Sequence, residues 1–81
     1  MPTKVGDVTH FYSNIGVAIV KLMDALKVGD EVQFLGNTTD FEQTVSEMQY
    51  DHKDIESAEA GQEVGIKVSE KVREGDEVNL V

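Results

Sequence analysis

Apolar residues alternate with polar ones over short segments of this chain. The segment 63–70 places Val64, Ile66 and Val68 at every second position, and the segment 31–36 follows the same period. Because successive side chains of a β-strand point to opposite faces, this period is typical of strands with one buried face. No long segment has the spacing of an amphipathic helix, so the pattern predicts an all-β fold.

Glycines divide the chain into six predicted strands. The strands are residues 5–13, 17–22, 31–36, 41–50, 63–70 and 76–81. Residues 23–30 and 51–61 are predicted to be loops, and the first has room for one helical turn. A single helical turn in the second loop would direct Ile55 and Ala58 inwards. Six short strands bury their apolar faces best when the sheet closes on itself, because closure removes exposed edges. We therefore predict a six-stranded closed β-barrel that occupies residues 1–81 as a single domain, with an open sandwich as the alternative.

Two of the predicted strands carry apolar residues at both parities. In residues 17–22 this pattern is typical of a strand covered on both faces. In residues 41–50, Val45 and Met48 lie at opposite parities. A β-bulge between them would bring both side chains to the core.

The sequence Gly-Asp-Glu-Val occurs at residues 29–32 and again at residues 75–78. Glycine permits a backbone turn that a side chain would obstruct, and the aspartate carboxylate can accept hydrogen bonds from nearby amides. The glutamate would then face water and the valine would begin a buried row. Each copy is predicted to start a strand.

Charge is unevenly distributed along the chain, whose formal net charge is −9. Residues 1–41 contain five acidic and three basic residues, whereas residues 42–81 contain eleven acidic and four basic residues. An acidic surface repels nucleic-acid backbones at long range. The charge favours either solubility alone or a protein partner with a basic surface.

The composition also bears on where the protein resides. Cysteine is absent, which excludes disulfides and thiolate metal sites. The first ten residues lack the apolar region of a signal peptide, and the longest apolar run, residues 17–20, is too short to span a bilayer. The sequence therefore predicts a cytoplasmic protein without a membrane partner.

Four segments together resemble a known barrel family: LKVGDEVQFLG, QTVSEMQ, AEAGQEVGIKV and VREGDEVNLV. In this order they resemble domain 2 of translational GTPases such as elongation factor Tu, which is a six-stranded closed barrel. The longer segments HFYSNIGVAIVKL and GNTTDFEQTVSEM look like stand-alone proteins of the translation elongation factor-like type. They are also similar to the C-terminal barrel of collagenase-type peptidases, some of which take part in transfer-RNA modification.

The resemblance to translation factors implies contact with the ribosome or transfer RNA. It does not imply GTP binding, because the phosphate loop ending in Gly-Lys-Ser/Thr is absent. Direct RNA binding would use Lys67, Lys71 and Arg73 with exposed aromatic rings. Glu70 and Glu74 interrupt this basic strip.

No catalytic, cofactor or metal site is predicted, so the protein is expected not to be an enzyme. Asp7, His10 and Ser13 could be combined into a hydrolytic triad, but they lack the Gly-x-Ser-x-Gly context. The segment 51–54, Asp-His-Lys-Asp, would need further ligands from elsewhere to hold a metal. It is expected to be a solvated loop.

The segment 36–43, GNTTDFEQ, contains the residues best suited to contact a partner. A hairpin loop does not require this composition, and the segment offers one aromatic anchor. The candidate surface consists of Thr38, Thr39, Asp40, Phe41 and Gln43. Alternatively, the threonines and the aspartate cap backbone amides of their own loop.

Two functions are compatible with these features. The first is a non-enzymatic binding module of the translation-factor type, acting near the translation or RNA-modification machinery. The second is an interaction adaptor that supplies in trans a barrel that other proteins carry fused to an enzyme.

Overall fold

The protein folds into short β-strands joined by turns and loops. The structure is a computed structural model and describes residues 3–81, in which no helix occurs. Residues 1 and 2, which the predicted domain and the N-terminal segment include, lie outside the described residues. The strands are β1 (Thr3–Tyr12), β2 (Val17–Leu22), β3 (Leu26–Lys27), β4 (Glu31–Leu35), β5 (Asp40–Thr44), β6 (Met48–Tyr50), β7 (Lys53–Ile55), β8 (Ser57–Ala58), β9 (Glu63–Lys67) and β10 (Glu77–Leu80).

Eight strands form one antiparallel sheet in the order β5-β4-β10-β1-β2-β9-β6-β7, and β3 pairs with β8 separately. The all-β class is confirmed. The six-stranded closed barrel is wrong, because the sheet curls into an open half-barrel with β5 and β7 at its two edges. No helix that could cross a membrane occurs among residues 3–81.

The predicted strand 41–50 is two strands that lie towards opposite ends of the sheet. β5 pairs with β4, whereas β6 pairs with β9 on the other side of the sheet. Between them Val45 is buried, and its backbone exchanges hydrogen bonds with Gly29 and Asp30. The chain therefore leaves the edge strand β5 before Val45 and joins β9 at the opposite end of the sheet at Met48, so both side chains reach the core without the predicted bulge.

The predicted loop 51–61 also contains strands. Asp51 and His52 have φ values of 54° and 62°, as a type I′ turn requires, and they join β6 to β7. Ala58 is buried and Ile55 is half-buried, as predicted, but they extend from β8 and β7 and not from a helical turn.

The core fills the concave side of the half-barrel. It confirms the alternating rows of β4 and β9, which contribute Val32, Phe34, Val64 and Ile66. The other buried apolar residues are Val5, Val8, Ala18, Val20, Leu22, Leu26, Val45, Met48, Ala58, Val68, Val72 and Val78.

The two Gly-Asp-Glu-Val sequences form equivalent turns, as predicted. Gly29 and Gly75 have φ values of 100° and 89°, which side chains rarely adopt. The Asp30 carboxylate accepts the backbone N–H of Lys27 at 3.1 Å, and the Asp76 carboxylate accepts that of Arg73 at 2.8 Å. β4 and β10 begin at the next residue, so each copy starts a strand.

Candidate functional site

A groove on the convex face of the sheet is the most site-like feature of the described residues. We call it the outer groove, and its volume is about 350 Å³. It lies between the β1–β2 hairpin and the β6–β7 turn. Its lining residues are Tyr12, Ile15, Val17, Ile19, Gln49, Asp51, His52, Glu63 and Gly65.

The apolar wall of the outer groove comes from β2 and the hairpin before it. Val17 and Ile19 alternate with the buried residues of β2 and therefore point away from the core, where they are half-buried. At the hairpin, Tyr12 and Ile15 are 44% and 59% exposed. Adjacent exposed apolar side chains with a polar rim are typical of interaction sites.

The floor of the outer groove exists because residue 65 has no side chain. Gly65 on β9 pairs with Ile19 on one side and with Gln49 on the other. A Cβ atom at residue 65 would lie 3.1 Å from Val17 Cγ1 and 3.5 Å from Ile19 Cδ1. Glycine thus lets the side chains of Val17 and Ile19 lie close to the backbone of β9, and any other residue would press against them.

The polar wall comes from β6 and the turn that follows it. The side chain of Gln49 donates a hydrogen bond to Asp54 at 3.1 Å. Asp51 and His52 hold the left-handed backbone conformation of the turn although neither is glycine. Such conformations are costly for residues with side chains and occur often at functional sites.

The carboxylate of Glu63, the first residue of β9, completes the rim. β1 contains one extra residue, Thr9, at a bulge where Val8 pairs with Val20 and His10 pairs with Ile19. The Thr9 hydroxyl lies 3.2 Å from the carbonyl oxygen of Ile19 and 3.3 Å from Glu63 Oε2. The bulge therefore directs a hydroxyl towards the Glu63 carboxylate, as bulges near sites commonly redirect side chains.

The residues considered for hydrolysis have other contacts. His10 Nδ1 lies 3.3 Å from Glu74 Oε1, and the Asp7 carboxylate lies 2.9 Å from Lys4 Nζ. Within residues 3–81, no group of three or more histidine, aspartate or glutamate side chains is placed to hold a metal ion. The structure does not bring the triad residues together.

The predicted partner surface on the β4–β5 hairpin lies apart from the outer groove. Thr38 and Asp40 are exposed, and Asp40 accepts a hydrogen bond from Gln33. Thr39 is buried, Phe41 stacks on Phe34 with ring centroids 5.2 Å apart, and Gln43 bonds to Lys67 and Ser69. A role of this hairpin in partner binding stays a prediction.

Sequence reasoning did not identify the outer groove, although one signal pointed to it. The apolar residues at both parities of β2 predicted cover on both faces. The inner face is covered by the core, whereas Val17 and Ile19 on the outer face remain partly accessible. An interaction site on this face needs an outer row of apolar residues that the described residues do not fully cover. That row was the available signal in the sequence.

Comparison with known proteins identifies relatives over nearly the whole chain. The family model described as the peptidase family U32 C-terminal domain matches residues 3–78. An uncharacterized protease of Methanocaldococcus jannaschii is 43% identical over 79 residues, which are 96% of this chain and 19% of the protease. A collagenase of Porphyromonas gingivalis is 37% identical over 78 residues, which are 94% of this chain and 22% of the collagenase. The chain thus spans about a fifth of the length of these relatives.

Solved structures support the fold. The C-terminal domain of a Geobacillus thermoleovorans protein assigned to the U32 peptidases has a TM-score of 0.89 and 23% identity, covering 94% of this chain and 96% of that one. A second crystal structure of the same domain gives a TM-score of 0.89 and 22% identity, covering 95% and 90%.

These findings correct the function inferred from translation factors. Three of the four segments that suggested domain 2 of elongation factor Tu lie within the match to the U32 C-terminal domain, and the fourth, at residues 72–81, overlaps it. A binding module of the translation machinery is therefore wrong, whereas the resemblance to the C-terminal region of collagenase-type peptidases is confirmed. The chain belongs to the family of U32 peptidase C-terminal domains.

Proposed function

We propose that this chain is a non-catalytic interaction module that docks onto the catalytic part of a U32 peptidase through the outer groove. The observation that carries the proposal is the apolar row of Val17 and Ile19, which continues into the exposed side chains of Tyr12 and Ile15. Covering this row would remove apolar surface from water, which is the main favourable term in protein association.

The size of the relatives supports a catalytic segment as the partner. The matched segment is about a fifth of each relative, and one relative is named a protease and the other a collagenase. On this proposal, the remaining four-fifths of those proteins provides the surface onto which the module docks. The same docking can be made by a separate chain, which is the adaptor role, or by a linked one.

The contacts of the polar residues support a non-catalytic role. His10 is bound to Glu74, and the carboxylates of Asp30 and Asp76 are used to fix turns. The strained turn at Asp51 and His52 shapes one wall of the outer groove and borders an apolar surface. These arrangements suit recognition.

A chimera tests the docking surface. Residues 1–81 replace the matched segment of the archaeal protease, and amide hydrogen exchange is compared between the chimera and the free chain. We expect slower exchange in β2 and at residues 51–52 of the chimera. Protection at the β4–β5 hairpin instead, or at neither place, would contradict the proposal.

Two matched variants locate the interaction. Ile15→Ser removes the most exposed apolar side chain of the outer groove, and Leu35→Ser removes a 37% exposed side chain on β4. Only Ile15→Ser should abolish the added protection. Cleavage of a gelatin substrate by the purified free chain would contradict the non-catalytic role.

A further inference from the structure

We infer that the outer groove accepts an arginine or lysine side chain of its protein partner. The aliphatic stem would lie along Val17 and Ile19, and the charged group would reach Glu63 and Asp51. This inference rests on the proposed function, since it specifies what the partner inserts into the same groove.

The apolar wall has the length of a basic side chain's stem. Residues two apart on a strand are separated by about 7 Å, which is comparable to three or four methylene groups. Gly65 lines the groove beside them and has no side chain, so it adds no bulk between Val17, Ile19 and the polar wall. Long basic side chains commonly bury such stems while the charged group stays near water.

The Glu63 carboxylate is available to a cation from outside. Its cross-strand neighbour is Lys21, yet Glu63 takes part in none of the ion pairs among residues 3–81. It interacts with the hydroxyl of the bulge residue Thr9 at 3.3 Å. The groove therefore holds a positioned carboxylate whose charge is not neutralised by a direct intramolecular partner.

The opposite side of the groove is acidic as well. Asp51 lines the groove and also takes part in none of the ion pairs among the described residues. Lys67, the basic residue next to this region on β9, lies 3.7 Å from Glu47 and is directed to it. His52 is the one basic residue type among the lining residues.

An aromatic ring adds a second attraction for a cation. The ring of Tyr12 is in edge contact with that of His10, with centroids 4.5 Å apart, and His10 is in turn held by Glu74. Tyr12 is thus oriented although it is 44% exposed. A cation over an aromatic face is stabilised by the ring quadrupole.

The net charge of −9 favours the same partner. A strongly acidic protein attracts basic segments at long range and repels acidic ones. Long-range attraction alone would not select a position on the surface. The outer groove provides a specific position, because the apolar wall lies there beside carboxylates that form no ion pair among the described residues.

The test uses three short peptides of sequence Ala-Leu-X-Leu-Ala, with blocked ends and with arginine, citrulline or glutamate at X. Citrulline keeps the shape of arginine without its charge. Binding to the full chain is followed by amide chemical shifts in NMR titrations. We expect shifts at Ile19, Glu63 and Gly65, and an affinity for the arginine peptide about tenfold above that for citrulline. Equal affinities, or shifts spread over the whole acidic surface, would overturn the inference.

Charge-removing variants complete the test. Glu63→Gln and Asp51→Asn should each reduce the preference for arginine over citrulline, whereas Glu70→Gln changes the net charge equally and should leave it intact. A preference that survives in both groove variants would overturn the inference. If the arginine preference survives in both groove variants but the chimera still shows docking, the proposed function stands without this inference. If the chimera shows no docking but the groove variants lose the preference, the groove binds a basic side chain and the proposed partner is wrong.

Discussion

The side chain of Gln43 accepts two hydrogen bonds from Ser69, one from its backbone N–H at 2.8 Å and one from its hydroxyl at 3.2 Å. The same amide group donates to the carbonyl oxygen of Lys67 at 2.8 Å. Gln43 lies on the edge strand β5, and residues 67–69 lie at the end of β9. One side chain thus spans the open side of the half-barrel with the bonding pattern of a neighbouring strand.

Replacing Gln43 with alanine should lower the free energy of unfolding by about 1–3 kcal/mol. The variant removes all three hydrogen bonds and leaves the backbone groups of Lys67 and Ser69 to water. The measurement is urea denaturation followed by circular dichroism. The matched control is Gln49→Ala, whose amide bonds only the exposed Asp54, and a larger loss in the control would contradict the bridging role.

The second Gly-Asp-Glu-Val turn is packed against the β4–β5 hairpin. Asp76 is 6% exposed, and the carboxylate atom Oδ1 occupies the space that a Cβ atom would need at Gly36. Asp30, its counterpart in the first turn, is only half-buried. The two turns are therefore alike in backbone and different in burial.

A double-mutant cycle measures this contact. Gly36→Ala should cost about 1–3 kcal/mol of unfolding free energy in the natural chain, because the new methyl group overlaps the Asp76 carboxylate. In the Asp76→Ala background the same change should cost at least about 0.5 kcal/mol less, since the overlap is gone. As a control, Gly36→Ala in the Asp30→Ala background should lower the free energy of unfolding by as much as it does in the natural chain. If the effects of the two substitutions are additive in both backgrounds, the contact between Gly36 and Asp76 is contradicted.

The fold features that could be predicted from the sequence are local ones. The Gly-Asp turns depend on hydrogen bonds between residues three apart, and the row of Val64, Ile66 and Val68 depends only on strand period. The two- and three-residue strands β3, β7 and β8 are too short to show a period. They could not be distinguished from loops.

The opening of the sheet and the groove depend on residues far apart in sequence. Whether Val45 and Met48 share a strand is decided by backbone bonds from Val45 to Gly29 and Asp30. The groove arises because Gly65 happens to pair with Ile19. No local pattern encodes these pairings. The sequence therefore predicts a closed sheet, whereas the structure has open edges. It also predicts that both faces of β2 are covered, whereas the outer face is the apolar wall of the groove.

The buried row of β9 gives a direct test of the core. Ile66 is fully buried between Ala18 on β2 and Met48 on β6. Ile66→Ala should cost about 2–5 kcal/mol, because it removes apolar contacts and leaves a cavity. Ile15→Ala removes the same atoms from a 59% exposed position and should change the free energy of unfolding by less than about 0.5 kcal/mol. Similar losses in thermal or urea denaturation would contradict the assigned inner and outer faces.

The turn at the outer groove should become more stable when glycine replaces the histidine. His52 has a φ value of 62°, and Asn-Gly and Asp-Gly are the preferred pairs in such turns. His52→Gly should raise the free energy of unfolding by about 0.5–1 kcal/mol by relieving this strain. The control is Lys53→Gly, which changes the next residue, within β7, and should lower the free energy of unfolding. A lower free energy of unfolding for His52→Gly would contradict the assigned turn.

Gly65 links the sheet to its proposed function, because a methyl group there would fill the groove without breaking the fold. Its φ is not in the left-handed region, and the new Cβ would lie 3.1 Å from Val17 Cγ1 and 3.5 Å from Ile19 Cδ1, so these side chains need to shift by only a few tenths of an ångström. Gly65→Ala should therefore change the free energy of unfolding by less than about 1 kcal/mol, since lower chain entropy offsets the tight contact. In the chimera it should nevertheless weaken docking, seen as faster amide exchange in β2. Protection equal to that of the natural chain, at unchanged stability, would show that the partner does not enter the groove.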